Sequence, residues 1–421
     1  MSQLGRVHVP RLAWAIVPRR PQLRDSPTAL VLVAALVSGV SGYFALILAA
    51  RTLTLAEGAD FLVFWGVVFA MYGVLIGVTT ETTRAVSTES APGPRDGTTR
   101  LMPVVVGFGL VLVAAVGLTG ILWAPTVFGP RWPSLLGATL VGTTFFSVHV
   151  AVAGVASGRR AWSGYSLLVA GETSTRLALF VVVAVLAGGV AGFAFASAVA
   201  SGFWVAATLS SRRYRDLWHQ RVTGDLRGLM SRLVASCTTA GVSALLLVGY
   251  PVLLKVTTSD AVFAGAAPIV LAVSLCRAPL LVPLGAYQNV VVTKVAAHGV
   301  RALVPVVAGI VGLTLVGALA AWPVGPWALR IVRPDFHLDG PVFAGLVLGA
   351  GLVAVLTVTG AAAVALDHHV VYLAGWIAAT VITVATLLLP WGLDARVVTS
   401  LLVGPAVGVL VHLVWGHRRI R

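Results

Sequence analysis

Twelve apolar stretches, each about long enough to cross a bilayer as a helix, run through this chain with mostly short polar segments between them. In the first half they lie at Thr28–Ala50, Phe61–Thr80, Leu101–Trp123, Ser134–Ser157, Tyr165–Ala187 and Gly189–Leu209. The second half repeats the pattern at Leu233–Leu254, Leu271–Thr293, Leu303–Trp322, Pro341–Leu366, Val370–Pro390 and Val397–Trp415. Hydrocarbon offers the backbone no hydrogen bonds, so a spanning segment of this kind has to satisfy its own amides as an α-helix. Charged residues make up only 10% of the chain against 58% hydrophobic, where soluble domains carry about a quarter charged. The expected fold class is an all-α polytopic membrane protein of about 12 transmembrane helices. The eighth span is irregular. Apolar residues run from Val262 to Ala296 with Pro268, Pro279 and Pro283 among them, so Val262–Val270 is read as an interfacial lead-in to a single crossing.

The polar segments are asymmetric in charge. Ser210–Arg232, at the midpoint, carries Arg212, Arg213, Arg215, Arg221, Arg227 and Arg232 against Asp216 and Asp225. With the N-terminus inside, alternate loops place 21 of the 29 lysines and arginines in the cytoplasm and six outside, leaving Arg176 and Arg277 within spans. The positive-inside rule therefore expects a multi-pass protein of the cell membrane with both termini cytoplasmic. The same asymmetry accounts for the net charge of +15 without a nucleic-acid partner. The linker arginines suit topology and anionic membrane lipids, with a specific protein partner as the alternative.

The expected organisation is a basic cytoplasmic N-terminal segment (1–27), an N-lobe of six helices (28–209), a basic cytoplasmic linker (210–232), a C-lobe of six helices (233–415) and a cytoplasmic tail (416–421). Leu12–Val17 is too short for the apolar region of a signal peptide, so the first span is expected to act as an uncleaved start-transfer helix. Gly39-Val40-Ser41 and Gly241-Val242-Ser243 recur about 200 residues apart, as do Tyr165-Ser166-Leu167 and Tyr372-Leu373-Ala374. Six crossings per half make this a parallel repeat about an axis along the membrane normal.

The stretch Ala50-Arg51-Thr52-Leu53-Thr54-Leu55-Ala56-Glu57-Gly58-Ala59-Asp60-Phe61 resembles the first outer loop of the multidrug/oligosaccharidyl-lipid/polysaccharide exporter superfamily, particularly its polysaccharide and lipid-linked-oligosaccharide flippases. That family has Ala-Arg-x-Leu followed by a Gly-Pro-Ala-Glu-Tyr-Gly type turn. Here Thr54-Leu55 replaces Gly-Pro, and Gly58-Ala59 replaces Tyr-Gly. Ser259-Asp260-Ala261-Val262-Phe263-Ala264-Gly265 is similar to the matching turn of the second lobe, and the Gly158-Arg159-Arg160…Tyr165 loop also has a family look. The resemblance implies a V-shaped pair of bundles around a central cavity and transport by alternating access.

Ionisable groups at membrane depth cost about 2.5–3.5 kcal/mol each on insertion scales and usually face a cavity or a partner. His149, Glu172, Arg176 and Arg277 stand at such depth. His149 and Glu172 lie at similar distances from the hairpin tip near Ala161, and Glu172 and Arg176 are four apart on one helix face. Two readings stand for this group: a neutralised structural cluster, or a cavity site, with Glu172 and His149 as candidates for ion coupling and Arg176 for substrate phosphate. Arg277 either snorkels to the outer interface or binds an anion. Its planar, permanently charged fork suits a diphosphate. Asn289, in the polar run Tyr287-Gln288-Asn289, and Arg84, in Glu81-Thr82-Thr83-Arg84, are further substrate-binding candidates against core hydrogen bonding and a local ion pair.

No cofactor is expected. Cys237 and Cys276 fall inside spans without metal spacing, and Asp335-Phe336-His337-Leu338-Asp339 is read as a loop and not as a metal site. No catalytic constellation or large outer loop argues for an enzyme, and no G-x-x-x-x-G-K-[ST] motif is present to bind nucleotide. The leading expectation is a secondary transporter that flips a polyprenyl-diphosphate-linked glycan. The alternatives are a small-molecule or drug exporter of the same fold, and a scaffold for proteins of envelope polysaccharide assembly.

Overall fold

The computed structural model describes residues 27–89, 98–277, 280, 284, 295, 299–366 and 368–419. The first half comprises α1 (Pro27–Thr52), α2 (Leu55–Glu89), α3 (Leu101–Phe128), α4 (Trp132–Gly158), α5 (Trp162–Val185) and a crossing broken into α6 (Gly189–Ala200) and α7 (Phe203–Ser210). A short helix, α8 (Arg212–Leu217), opens the linker. The second half comprises α9 (Leu226–Leu247), α10 (Tyr250–Val256), α11 (Asp260–Phe263), α12 (Ala267–Arg277), α13 (Val304–Val332), α14 (Gly340–Ala365), α15 (His369–Leu387) and α16 (Leu393–Arg419). Among the described residues ten apolar helical stretches are long enough to cross a membrane. One of them, Leu101–Gly158, is α3 and α4 joined by the tight turn Gly129–Arg131. The architecture is all-α and polytopic, two helical lobes around a central cavity.

Three boundaries differ from the sequence expectation for local physical reasons. Asp225 accepts a hydrogen bond from the Gly228 amide at 3.2 Å. That caps α9, so Leu226–Arg232 are its first turns and not linker. Helix α12 is already formed at Ala267, and Pro268 sits in its first turn, where a missing N–H costs nothing. Helix α2 continues past Thr80 to Glu89. Apart from Leu280 and Leu284, the remainder of the eighth crossing, with Tyr287, Gln288 and Asn289, lies outside the described residues, as does the N-terminal segment before Pro27.

The linker is folded onto the first half. Its strand β2 (Arg221–Thr223) pairs antiparallel with β1 (Thr98–Arg100), Thr98 opposite Thr223 and Arg100 opposite Arg221. The Tyr214 hydroxyl donates to the Gly164 carbonyl at 2.9 Å, and Arg159 Nε donates to Gln220 Oε1 at 2.6 Å. These contacts define a linker face of the bundle. The opposite, far face holds the ends of α1, α3, α5, α13 and α15.

Within the first half α1 packs on α5 and α2 on α4; within the second, α14 and α15 pack on α16. The halves meet chiefly where α2 lies along α9. That approach depends on glycine, since a Cβ at Gly77 would stand 2.5 Å from the Cys237 backbone and one at Gly73 2.3 Å from the Ala244 Cβ. Close backbone approach of this kind replaces the hydrophobic effect as the source of helix association in lipid. At the far face the halves share one buried core, with Leu53, Phe61 and Phe64 against Phe263, Ala267, Val332 and Phe336.

Candidate functional site

A cavity of about 590 Å³ opens between the halves, lined by α1, α2, α4 and α5 on one side and α9, α14 and α15 on the other. Tyr165 and Tyr372, in the first turns of α5 and α15, both line it, as do Ser243 of the second Gly-Val-Ser string and Ser38, the residue before the first. A second cavity of about 290 Å³ continues towards the far face between α1, α2, α10 and α12. The two share Ser38, Phe69, Thr173, Arg176, Leu247 and Val248.

In the first half, the residues singled out by depth come together. Arg176 and Glu172 form a buried ion pair on α5. Ser201, at the break between α6 and α7, donates to Glu172 Oε1 at 3.3 Å and lies 2.7 Å from the Tyr72 hydroxyl. The Tyr72 ring stacks on Phe146 at 3.8 Å, and Phe146 stacks in turn on His149 at 5.6 Å. The Arg176 guanidinium sits 4.9 Å from the Phe69 ring and 5.7 Å from Trp65, so the aromatic wall supplies a second partner for its charge. His149 lines the larger cavity with its Nδ1 unpartnered among the described residues.

Arg277 is built differently. It is 6% exposed, and its Nη1 donates to the Leu247 and Leu246 carbonyls at 2.7 and 3.1 Å. Those carbonyls end α9, where a cation complements the helix dipole. Its guanidinium lies 5.3 Å from the Tyr250 ring. Nη2 has no partner among the described residues, and no carboxylate there lies within ion-pair distance. Arg277 and Arg176 line the smaller cavity from opposite halves.

Both ends of the inter-lobe space are bridged. At the linker face Glu81, 2% exposed, receives Arg84 at 2.6 and 2.7 Å and Arg232 of α9 at 2.9 Å. Arg84 is thus engaged by its own helix neighbour at the wall of a surface cavity, away from the central one. At the far face Arg51 donates to the Val332 and Ile331 carbonyls at 2.9 and 2.7 Å. Arg333 returns the contact to Ala50 at 3.2 Å and to Leu53. In the turn before α2, Thr54 and Glu57 form a reciprocal capping box, and Arg131 reaches Asp60 at 2.6 Å. In the corresponding turn of the second half the Lys255 ammonium holds the Asp260 carboxyl below its ordinary range. Asp335 of the Asp335–Asp339 run lies 3.7 Å from Arg333.

Three polar residues near the cavity escaped sequence reasoning, Tyr72, Ser201 and His412, and Tyr372 was marked only as part of a repeat. His412 is the one that depth alone offered, an ionisable group inside the last span; the others carry no charge to mark them.

The chain defines itself first by fold. It superposes on an inward-facing multidrug resistance MATE family transporter of the MOP superfamily with a TM-score of 0.68 and 16% identity, over 93% of this chain and 98% of that one. The outward-facing conformation of such a transporter gives 0.64, with 94% and 97% covered and 16% identity. A MOP superfamily transporter from Pyrococcus furiosus, described as having a binding pocket of reversed polarity, gives 0.60 over the same shares, also at 16%. The fold is therefore the one these MATE family transporters share. By sequence, the chain belongs to the family of the Mycobacterium tuberculosis uncharacterized proteins Rv1510 and Rv3630. It is 36% identical to the first over 90% of this chain and 88% of that protein, and 35% identical to the second over 93% and 92%. No family model matches it.

Proposed function

We propose that this protein is a secondary transporter of the cytoplasmic membrane that carries a polyprenyl-diphosphate-linked oligosaccharide to the outer leaflet by alternating access. The observation that carries the reading is Arg277, a guanidinium buried at the cavity wall with one nitrogen unpartnered and no carboxylate beside it among the described residues. Such a group is stable in a dry site only with help from dipoles or an arriving anion, and its fork matches phosphate oxygens. Glu172 already neutralises Arg176, so Arg277 tips the cavity towards positive charge. Hydroxyls from Ser38, Thr79, Thr173, Ser243 and Thr357 line the wider space, where sugar hydroxyls need partners. Glu172 and His149 are the candidates for the coupling ion. The linker face is the cytoplasmic one by its arginine content, and it is the surface open to anionic lipids and envelope-assembly proteins.

The test is flipping of a labelled polyprenyl-diphosphate sugar in proteoliposomes. A charge-assisted hydrogen bond is worth about 1.5–3 kcal/mol, so Arg277→Ala should slow flipping by at least about tenfold. Arg277→Lys, which keeps charge but loses the fork, should recover only part. Full flipping by Arg277→Ala at matched protein levels would overturn the reading. One observation favours a small-molecule exporter instead: the aromatic wall of Trp65, Phe69, Tyr72 and Phe146 beside the acid Glu172 suits a lipophilic cation. Ethidium efflux lost in Glu172→Gln and untouched in Arg277→Ala would select that reading.

A further inference from the structure

We infer that His412 is a proton-binding site of the second half that sets the hold of α16 on the cavity wall. The imidazole is 5% exposed and wedged between α14 and α15. Its Nδ1 lies 2.9 Å from the Thr359 hydroxyl oxygen and its Nε2 3.3 Å from the Tyr372 carbonyl oxygen. A carbonyl only accepts, so Nε2 carries a hydrogen in either protonation state. The question is Nδ1. The Thr359 hydroxyl also reaches the Val355 carbonyl at 2.9 Å, one turn back along α14.

A hydroxyl has one hydrogen and two lone pairs, which gives this triad two complete arrangements. With His412 neutral, Thr359 turns its O–H onto Nδ1. With His412 protonated, Nδ1–H donates to the Thr359 oxygen, and the hydroxyl turns onto Val355. No polar hydrogen is orphaned in either state, so a proton can arrive and leave without breaking the network. Serine or threonine beside a carboxylate would not do this, and neither would a histidine locked by an acid. The surroundings keep the site reversible. Helix α14 contributes no ionisable side chain, α15 contributes Tyr372 and, at its start, His369, and α16 itself has Asp394 and Arg396 towards the far face and His417, Arg418 and Arg419 in its last turns at the opposite end. Helix α9, which joins the same core through Leu246, brings Cys237 and, at its linker end, Arg227 and Arg232.

The site lies directly behind the cavity. A Cβ at Gly375 would stand 2.1 Å from His412 Nε2, so the imbedded ring occupies a slot that only glycine leaves in α15. On its other face that segment presents Tyr372 and Trp376 to the inter-lobe cavity, and the Tyr372 hydroxyl donates to the Thr239 carbonyl of α9 at 3.3 Å. A charge gained at His412 strengthens its hydrogen bond to the Tyr372 carbonyl and thereby the docking of α15 on α16. That role as a coupling proton rests on the transporter reading above; the proton site itself does not.

The experiment is nitrogen NMR of the histidine-labelled full chain in nanodiscs, with the His412 signal assigned by its loss in His412→Asn. Taken from about pH 8 to about pH 4.5, on either side of the ordinary imidazole value of ~6.5, the Nδ1 resonance should move from the acceptor to the protonated position. A resonance that stays at the neutral position overturns the site. Spin labels at exposed Thr54 and Gly392, on the far face of opposite halves, should show a distance distribution that changes over the same pH range. The change should be lost in His412→Gln and in Thr359→Val, and kept in His219→Gln, which removes an exposed histidine of the linker. A titrating His412 with distances equally pH-dependent in all four proteins overturns the coupling. Because neither readout uses substrate, failed flipping in the preceding assay with a titrating His412 discards the transporter reading alone.

Discussion

At the scale of single residues, the two buried arginines differ in what holds them. Arg176 is compensated by Glu172, whereas Arg277 rests on helix-end carbonyls. A buried pair is costly to break and cheap to replace, because removing one partner strands the other charge while removing both strands none. Arg176→Met and Glu172→Gln should each lower stability by about 3–5 kcal/mol, and the double variant should regain most of it. Thermal unfolding in detergent measures this; a double variant no more stable than the singles would show that the pair does more than neutralise itself. The pair was legible in the sequence because four-residue spacing on a helix places side chains together, and His149 was legible by its depth. Arg277's partners were not, since backbone carbonyls at the end of α9 leave no mark in the side-chain sequence. Tyr72 and Ser201 were missed for a related reason: their bond joins residues 129 positions apart.

At the scale of elements, hydropathy disclosed nearly every crossing, because lipid leaves a long apolar run no other structure. It did not disclose the breaks at Ser201–Gly202 and Val248–Gly249, where both sides are equally apolar. Nor did it tell which helices touch. The α2–α9 seam depends on small residues whose significance appears only when the partner is known. Gly77→Val should therefore destabilise the folded protein by about 1–3 kcal/mol through overpacking against the Cys237 backbone. Gly107→Val on α3, where a side chain meets nothing within 4 Å, is the control and should unfold like the parent. Equal unfolding temperatures for the two variants would mean that α2 and α9 separate freely, contrary to the seam described.

For the whole molecule, the charge asymmetry of the loops sets only an expectation of orientation, while the pairing of the halves was hidden because it is made between distant segments. That pairing has a clasp at each end. The far-face clasp is reciprocal: Arg51 binds the last carbonyls of α13, and Arg333 binds those ending α1. Helix-terminal carbonyls have no partner within their own helix and favour a cation, so two arginines satisfy them across the interface without any acid. On the transport reading proposed above, these bonds part when the far face opens, and Arg232 leaves Glu81 when the linker face opens. Each clasp therefore stabilises only the states in which its own face is closed. Each ~1.4 kcal/mol removed from one such group of states shifts the equilibrium about tenfold. Arg51→Gln with Arg333→Gln should add a longer population to the distance between spin labels at Thr54 and Gly392. Glu81→Gln should leave that pair short and instead lengthen one between Thr88 and Val370 at the linker face. Pulsed dipolar spectroscopy in nanodiscs reads both; distributions unchanged in either set of variants would show that the clasps follow the motion of the halves and do not bias it.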